Sequence, residues 1–247
     1  MAAMPDPSNL RVASQYATVT NHLQNASHWS IAMSTTVLPP STDSAGFNGI
    51  RLGVFLVLAI WFVLVVGLGA QGAFLGKPGV PPIGMAIGFT APILVFFAWL
   101  RLSPAFRDFI LTLDLRLIAG MQAWRFAGLG FLFLYAYKVL PGLFALPAGL
   151  GDMAVGLAAP WMILGLAHDP DFAASAAFIR WNRLGILDLV VALGLGASMA
   201  VAAPGTIGTA PMATLPLLIV PAFLVPLFLM LHVAALMQSR RLIRTSM

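Results

Sequence analysis

Residues Leu52 to Ala70 read LGVFLVLAIWFVLVVGLGA, nineteen consecutive positions without a charged side chain, closed by Arg51 on one side and Gln71 on the other. A helix of about 20 apolar residues covers the ~30 Å of hydrocarbon in a bilayer. This run therefore reads as the centre of a membrane-crossing helix over 50–73. Working outward, apolar stretches of the same length class follow at 83–101, 117–140, 147–167, 183–203 and 213–237. Turn and breaker residues separate them, in Lys77-Pro78-Gly79, Ser103-Pro104, Pro141-Gly142, Asp169-Pro170 and Pro204-Gly205. The predicted fold class is all-α, a six-helix transmembrane bundle over 50–238. A disordered cytoplasmic tail is expected at 1–49, a basic cytoplasmic tail at 239–247, and one or two short interfacial helices between spans.

Composition leads to the same place. Hydrophobic residues occupy 60% of the 247 positions and charged ones 9%, with a mean hydropathy of +0.94, far from the usage of water-soluble domains. Residues 1–49 are instead rich in Ser, Thr, Asn, Ala and Pro and show no sustained apolar period. The net charge of +5 is carried by scattered arginines, without a lysine- or arginine-rich run, so nucleic acid is not an expected partner. The absence of cysteine excludes disulfides, iron–sulfur clusters and thiol catalysis. His232 has no second intramembrane histidine with which to hold haem, and no HExxH, P-loop or GxSxG pattern occurs, so no cofactor is expected.

The basic residues set an orientation. Arg11, Arg51, Arg101, Arg107, Arg116, Arg125, Arg180, Arg183, Arg240, Arg241 and Arg244 fall on one side of the alternating spans, against Lys77 and Lys138 on the other. Basic residues in short loops stay cytoplasmic, so both termini are expected in the cytoplasm. On that side, Phe106 to Leu115 reads either as an interfacial helix or as a turn in which Thr112 or Asp114 caps the third span. Asp171 to Asn182 reads as a second interfacial helix. Trp124, Trp161, Trp181 and Tyr137 are expected in aromatic belts near span ends.

An ionisable group inside a span costs about 2.5 to 3.5 kcal/mol at mid-helix on insertion scales, so each one asks for a partner or a role. Asp188 lies six residues after Asn182 and His232 six before Gln238, which places both ~9 Å below the cytoplasmic boundary at 1.5 Å per residue. Arg125 falls at a similar or slightly greater depth. Asn182, Gly185, Asp188, Ala192 and Gly196 share one helical stripe of small and polar residues, a face suited to a neighbouring helix. The expectation is a cytoplasm-facing cluster of Gln122, Arg125, Asn182, Asp188 and His232, serving either as a ligand or proton-relay site or as a buried ion pair that holds helices in register.

A second constellation lies in Leu140-Pro141-Gly142-Leu143-Phe144-Ala145-Leu146-Pro147-Ala148-Gly149-Leu150-Gly151-Asp152, where dense Pro and Gly predict a bend or re-entrant segment before the fourth helix. Asp152 would then sit at that helix's start, with Lys138 as its candidate partner, forming an external mouth. The stretch from Trp124-Arg125-Phe126 to Leu146-Pro147-Ala148-Gly149-Leu150-Gly151-Asp152 resembles uncharacterised bacterial multi-pass membrane proteins with an LPAGxGD-like segment. That resemblance implies a bacterial inner-membrane location and supplies no activity.

Three functions fit these residues. A small-solute or ion permease would use the polar cluster for binding or proton relay. A structural or accessory subunit would use the same charges as interhelical pins toward a protein partner. An enzyme, the weakest of the three, would have only Asp188 and His232 as acid and base.

Overall fold

The structure, a computed structural model, describes residues 42–76, 80–200 and 207–245. The chain divides into two compact units, Met1–Ala45 and Gly46–Met247. Most of the expected tail, together with Arg11, Lys77 and Pro204-Gly205, lies outside the described residues. The described part of that tail, from Thr42, is already helical and continues as the helix Thr42–Ala70.

The described residues are helical without strands, as the apolar runs predict. Six helices are long and apolar enough to cross a membrane, and the chain is a multi-pass integral membrane protein. The spans are Gly49–Ala70, Ile83–Leu102, Leu115–Ala136, Gly142–His168, Ala176–Ala200 and Val220–Arg244. Their outward faces carry exposed large apolar residues, among them Phe55, Val63, Leu94, Leu143 and Leu187, a pattern that water would penalise and lipid accommodates. The fourth span packs along the third and the fifth, while the sixth packs against the second, third and fifth. The first span touches this bundle through Trp61 and Phe62, whose rings lie 4.5 and 5.2 Å from that of Phe223.

At the arginine-rich end, the short helix Pro104–Leu111 forms because Ser103 accepts the Phe106 amide as N-cap and Pro104 suits the first turn. It presents Phe106 and Phe109 to the core, where Trp99 stacks on Phe106 at 4.2 Å. Asp114 then caps the third span by accepting the Arg116 amide at 2.8 Å. The segment thus holds a short helix first and the cap after it. Gln238 in the sixth span donates to the carbonyls of Ile110 (2.9 Å) and Leu113 (3.0 Å), which satisfies groups orphaned at the end of the short helix.

Three expectations are corrected. The Pro- and Gly-rich segment does not bend or re-enter: Gly142–His168 is one helix of 27 residues with Pro147 and Pro160 inside it. Pro141 precedes the helix, and the glycines beyond it serve close packing rather than a turn. Asp171 to Asn182 is not a separate interfacial helix, because a 3₁₀ turn at Pro170–Ala174 leads directly into Ala176–Ala200. Trp181 does not join a belt: it is buried and its indole N–H donates to the Val155 carbonyl at 3.2 Å.

Candidate functional site

The third span changes pitch at its centre, where Trp124–Gly128 forms a 3₁₀ turn between α-helical segments Leu115–Ala123 and Leu129–Ala136. Trp124 faces outward, and Arg125 next to it is 2% exposed. The fourth span closes on this turn through glycine. A methyl group at Gly156 would fall 2.5 Å from the Phe126 amide nitrogen, and one at Gly149 would fall 2.9 Å from the Gly128 carbonyl oxygen. Only residues without a side chain permit that approach, so two backbones meet beside the arginine.

The guanidinium distributes its donors over three other spans. Nε donates to Asp152 Oδ1 of the fourth at 2.7 Å, and Nη2 donates to Asp188 Oδ2 of the fifth. Nη1 reaches the Gly185 carbonyl of the fifth at 3.2 Å and His232 Nε2 of the sixth at 3.1 Å. One arginine thus ties four helices, and its planar fork suits divergent acceptors better than an ammonium would. Glycine again makes the room. A methyl at Gly151 would overlap Asp188 Oδ1, and one at Gly185 would overlap the His232 ring.

The histidine's protonation pattern follows from its neighbours. A guanidinium has donors only, so Nε2 must accept and Nδ1 must carry the hydrogen. Nδ1 then donates to Asn182 Oδ1 at 2.9 Å, while Asn182 Nδ2 donates to the Phe178 carbonyl at 2.9 Å. Every donor and acceptor in this chain of contacts is consistent with a neutral imidazole. Both ring nitrogens of His232 are thus engaged within the cluster. Among the described residues, no group of three or more His, Asp, Glu or Cys side chains is arranged to hold a metal ion.

Five residues expected together, Gln122, Arg125, Asn182, Asp188 and His232, lie on the third, fifth and sixth spans around this arginine. Gln122 is one turn away, donating to the Phe228 carbonyl at 3.2 Å with its own Oε1 buried and unpartnered. Asp152 is relocated from the expected external mouth. It is the eleventh residue of its helix rather than the first turn, and it pairs with Arg125 while Lys138 is exposed. Asp188 and His232 each stand twelve residues from either end of their helical spans, about 18 Å along the axis. The helices extend through Arg180 and Arg183 at one end and through Gln238 at the other, segments that polarity alone marks as boundary.

A cavity of 440 Å³ meets this cluster at Asp152. Its walls come from the second, third, fourth, fifth and sixth spans and are apolar, including Phe89, Phe131, Phe144, Leu189 and Met212. Ala192 and Gly196, from the stripe that carries Asp188, line it as well. Thr209 was not singled out in the sequence: it is buried and donates to the Gly196 carbonyl at 2.7 Å on the cavity wall. Small residues in the second half of the fifth span, Ala192, Gly196, Ala197 and Ala200, form one side of this space. Gln122, Arg125, Asn182, Asp188 and His232 do not line it.

No curated protein and no solved structure matches the chain. The model of a domain of unknown function, DUF8737, matches residues 82–240. That match takes in the second to fifth spans, most of the sixth and every member of the charged cluster, and leaves the first span outside. The chain belongs to the DUF8737 family.

Proposed function

We propose that this protein is a small-solute permease of a bacterial inner membrane, with the arginine-rich end and both termini in the cytoplasm. The observation that carries the reading is the 440 Å³ cavity that reaches a mid-span carboxylate, Asp152. An apolar chamber of this size is typical of small-molecule sites, and a charged group at mid-span in such a chamber marks a solute or proton path. In this account the cavity receives the solute, and the Arg125, Asp152, Asp188 and His232 network couples its occupancy to the relative positions of four helices. Proteoliposome uptake of a panel of small labelled solutes, with and without an imposed proton gradient, tests it. Saturable uptake that Asp152→Asn abolishes supports the permease; background uptake for correctly inserted protein across the panel counts against it.

A second reading is favoured by a different observation. Gln122, Arg125, Asn182 and His232 are almost wholly buried, and Arg125, His232 and Asn182 are joined by direct hydrogen bonds. That dry arrangement suits an accessory subunit whose charges pin helices in register. In that case the protein copurifies with a stoichiometric partner from native membranes and catalyses no uptake by itself.

A further inference from the structure

We propose that the cavity binds one lipophilic monocation, its charged head against Asp152 and its apolar body along the second and fifth spans. This deepens the permease reading by naming its substrate class. The first argument is a charge count. Asp152 and Asp188 share the single guanidinium of Arg125, and His232 is neutral by its hydrogen bonds. The cluster at mid-span therefore carries one uncompensated negative charge until a cation or a proton joins it, and a lone charge there is costly. The carboxylate side chains of Asp152 and Asp188 are each about one-sixth open, 15% and 16%, and only Asp152 lines the cavity.

The walls decide which cation fits. The hydroxyls of Thr90 and Thr209 line the cavity, but each already donates its hydrogen to a carbonyl of its own chain, Ala86 and Gly196, at 2.7 Å. Neither hydroxyl is therefore free to donate to an anion. Among the described residues a small metal cation would find side-chain oxygens only from one carboxylate and two hydroxyls, a sparse set for replacing its hydration shell. An organic cation brings its own apolar surface to match the walls, which include the aromatic residues Phe74, Phe89, Phe131 and Phe144, a residue type that can attract such a charge. A proton competes for the same negative charge. The groups that face it are Arg125 from the third span, Asp152 from the fourth, Asp188 from the fifth and His232 from the sixth, and among the described residues Asp152 is the one titratable group on the cavity wall.

The test uses the full chain purified in a mild detergent, with equilibrium dialysis against tetraphenylphosphonium and against tetraphenylborate, ions of matched shape and opposite charge. The expected result is one saturable tetraphenylphosphonium site per chain, no saturable tetraphenylborate binding, and affinity that weakens on acidification, by up to about tenfold per pH unit if one proton replaces one cation. Asp152→Asn should weaken binding at least tenfold, and Ala192→Phe, which fills the cavity away from the charges, should do the same. Equal binding of the two ions, pH-independent binding of the cation, or no binding of it to folded wild-type protein would overturn the proposal. Uptake of neutral solutes without cation binding would refute this inference and leave the permease standing; cation binding without any uptake would do the reverse.

Discussion

Arg125 and Asp152 meet through a 2.7 Å hydrogen bond that joins the centres of the third and fourth spans, and the rest of the same guanidinium is committed to the fifth and sixth. Because two carboxylates share this one side chain as their partner, its loss cannot be absorbed locally. Arg125→Ala should lower stability by about 3–5 kcal/mol, the usual cost of stranding a buried charge. Adding Asp152→Asn and Asp188→Asn to that variant should recover much of the loss, since the stranded charges are then gone. Thermal unfolding of the purified protein in detergent measures both.

His232 holds its place through an acceptor bond on one ring nitrogen and a donor bond on the other. His232→Phe keeps the ring's bulk and removes both bonds, leaving Asn182 Oδ1 and one guanidinium donor unpaired in a dry site. Unsatisfied buried groups cost about 1–3 kcal/mol each, so this variant should be clearly less stable than wild type. Gln, which can donate and accept, should restore part of the difference in the same unfolding assay.

The glycines around the cluster separate packing from propensity. Gly151→Ala and Gly185→Ala each drive a methyl into a neighbour, the Asp188 carboxylate and the His232 ring, and should cost about 1–3 kcal/mol as overpacking. At Gly130, in the third span, a methyl group would meet nothing within 4 Å. Its alanine variant should be neutral or more stable by up to about 1 kcal/mol, as expected from helix propensity alone. Equal losses at all three positions would show that close approach is not what these glycines provide.

Outside the membrane core, Asp114 caps the third helix, and the hydrogen bond from the Arg116 side chain, with that from its amide, holds the Asp114 carboxyl below its ordinary range. A depressed carboxyl contributes stability that is fully present above its unfolded pKa and lost as pH falls through the folded one. Asp114→Ala should therefore destabilise the protein at neutral pH, by about 1 kcal/mol as for other N-caps. The difference from wild type should vanish in acid, below the ordinary carboxylate range, when unfolding is followed at a series of pH values.

The six spans were legible because lipid imposes one rule, a long uncharged run, and Leu52 to Ala70 satisfies it without ambiguity. The stripe from Asn182 to Gly196 was legible for a similar reason, since helical spacing puts small and polar residues on one face. Asp152 was misplaced because Pro147 and the glycines beside it read as helix breakers in water, whereas a membrane helix tolerates them and uses glycine for close approach. The 3₁₀ turn that carries Arg125 leaves no local signal, because it is set by the fourth span's backbone pressing against it. The cavity was hidden as well, since it is a space between five helices and no periodicity along one chain reveals a gap among several.

The most direct test is thiol accessibility in a chain that has no native cysteine. Ala192→Cys places a thiol on the cavity wall, and Ala234→Cys places one in the dry core of the sixth span, where the native side chain is 1% exposed. In sealed, oriented vesicles the account predicts that a membrane-impermeant cationic thiol reagent modifies the first from one side and leaves the second untouched. Protection of both thiols in correctly inserted protein would contradict it, because a chamber that solutes cannot enter from water has no place in a permease.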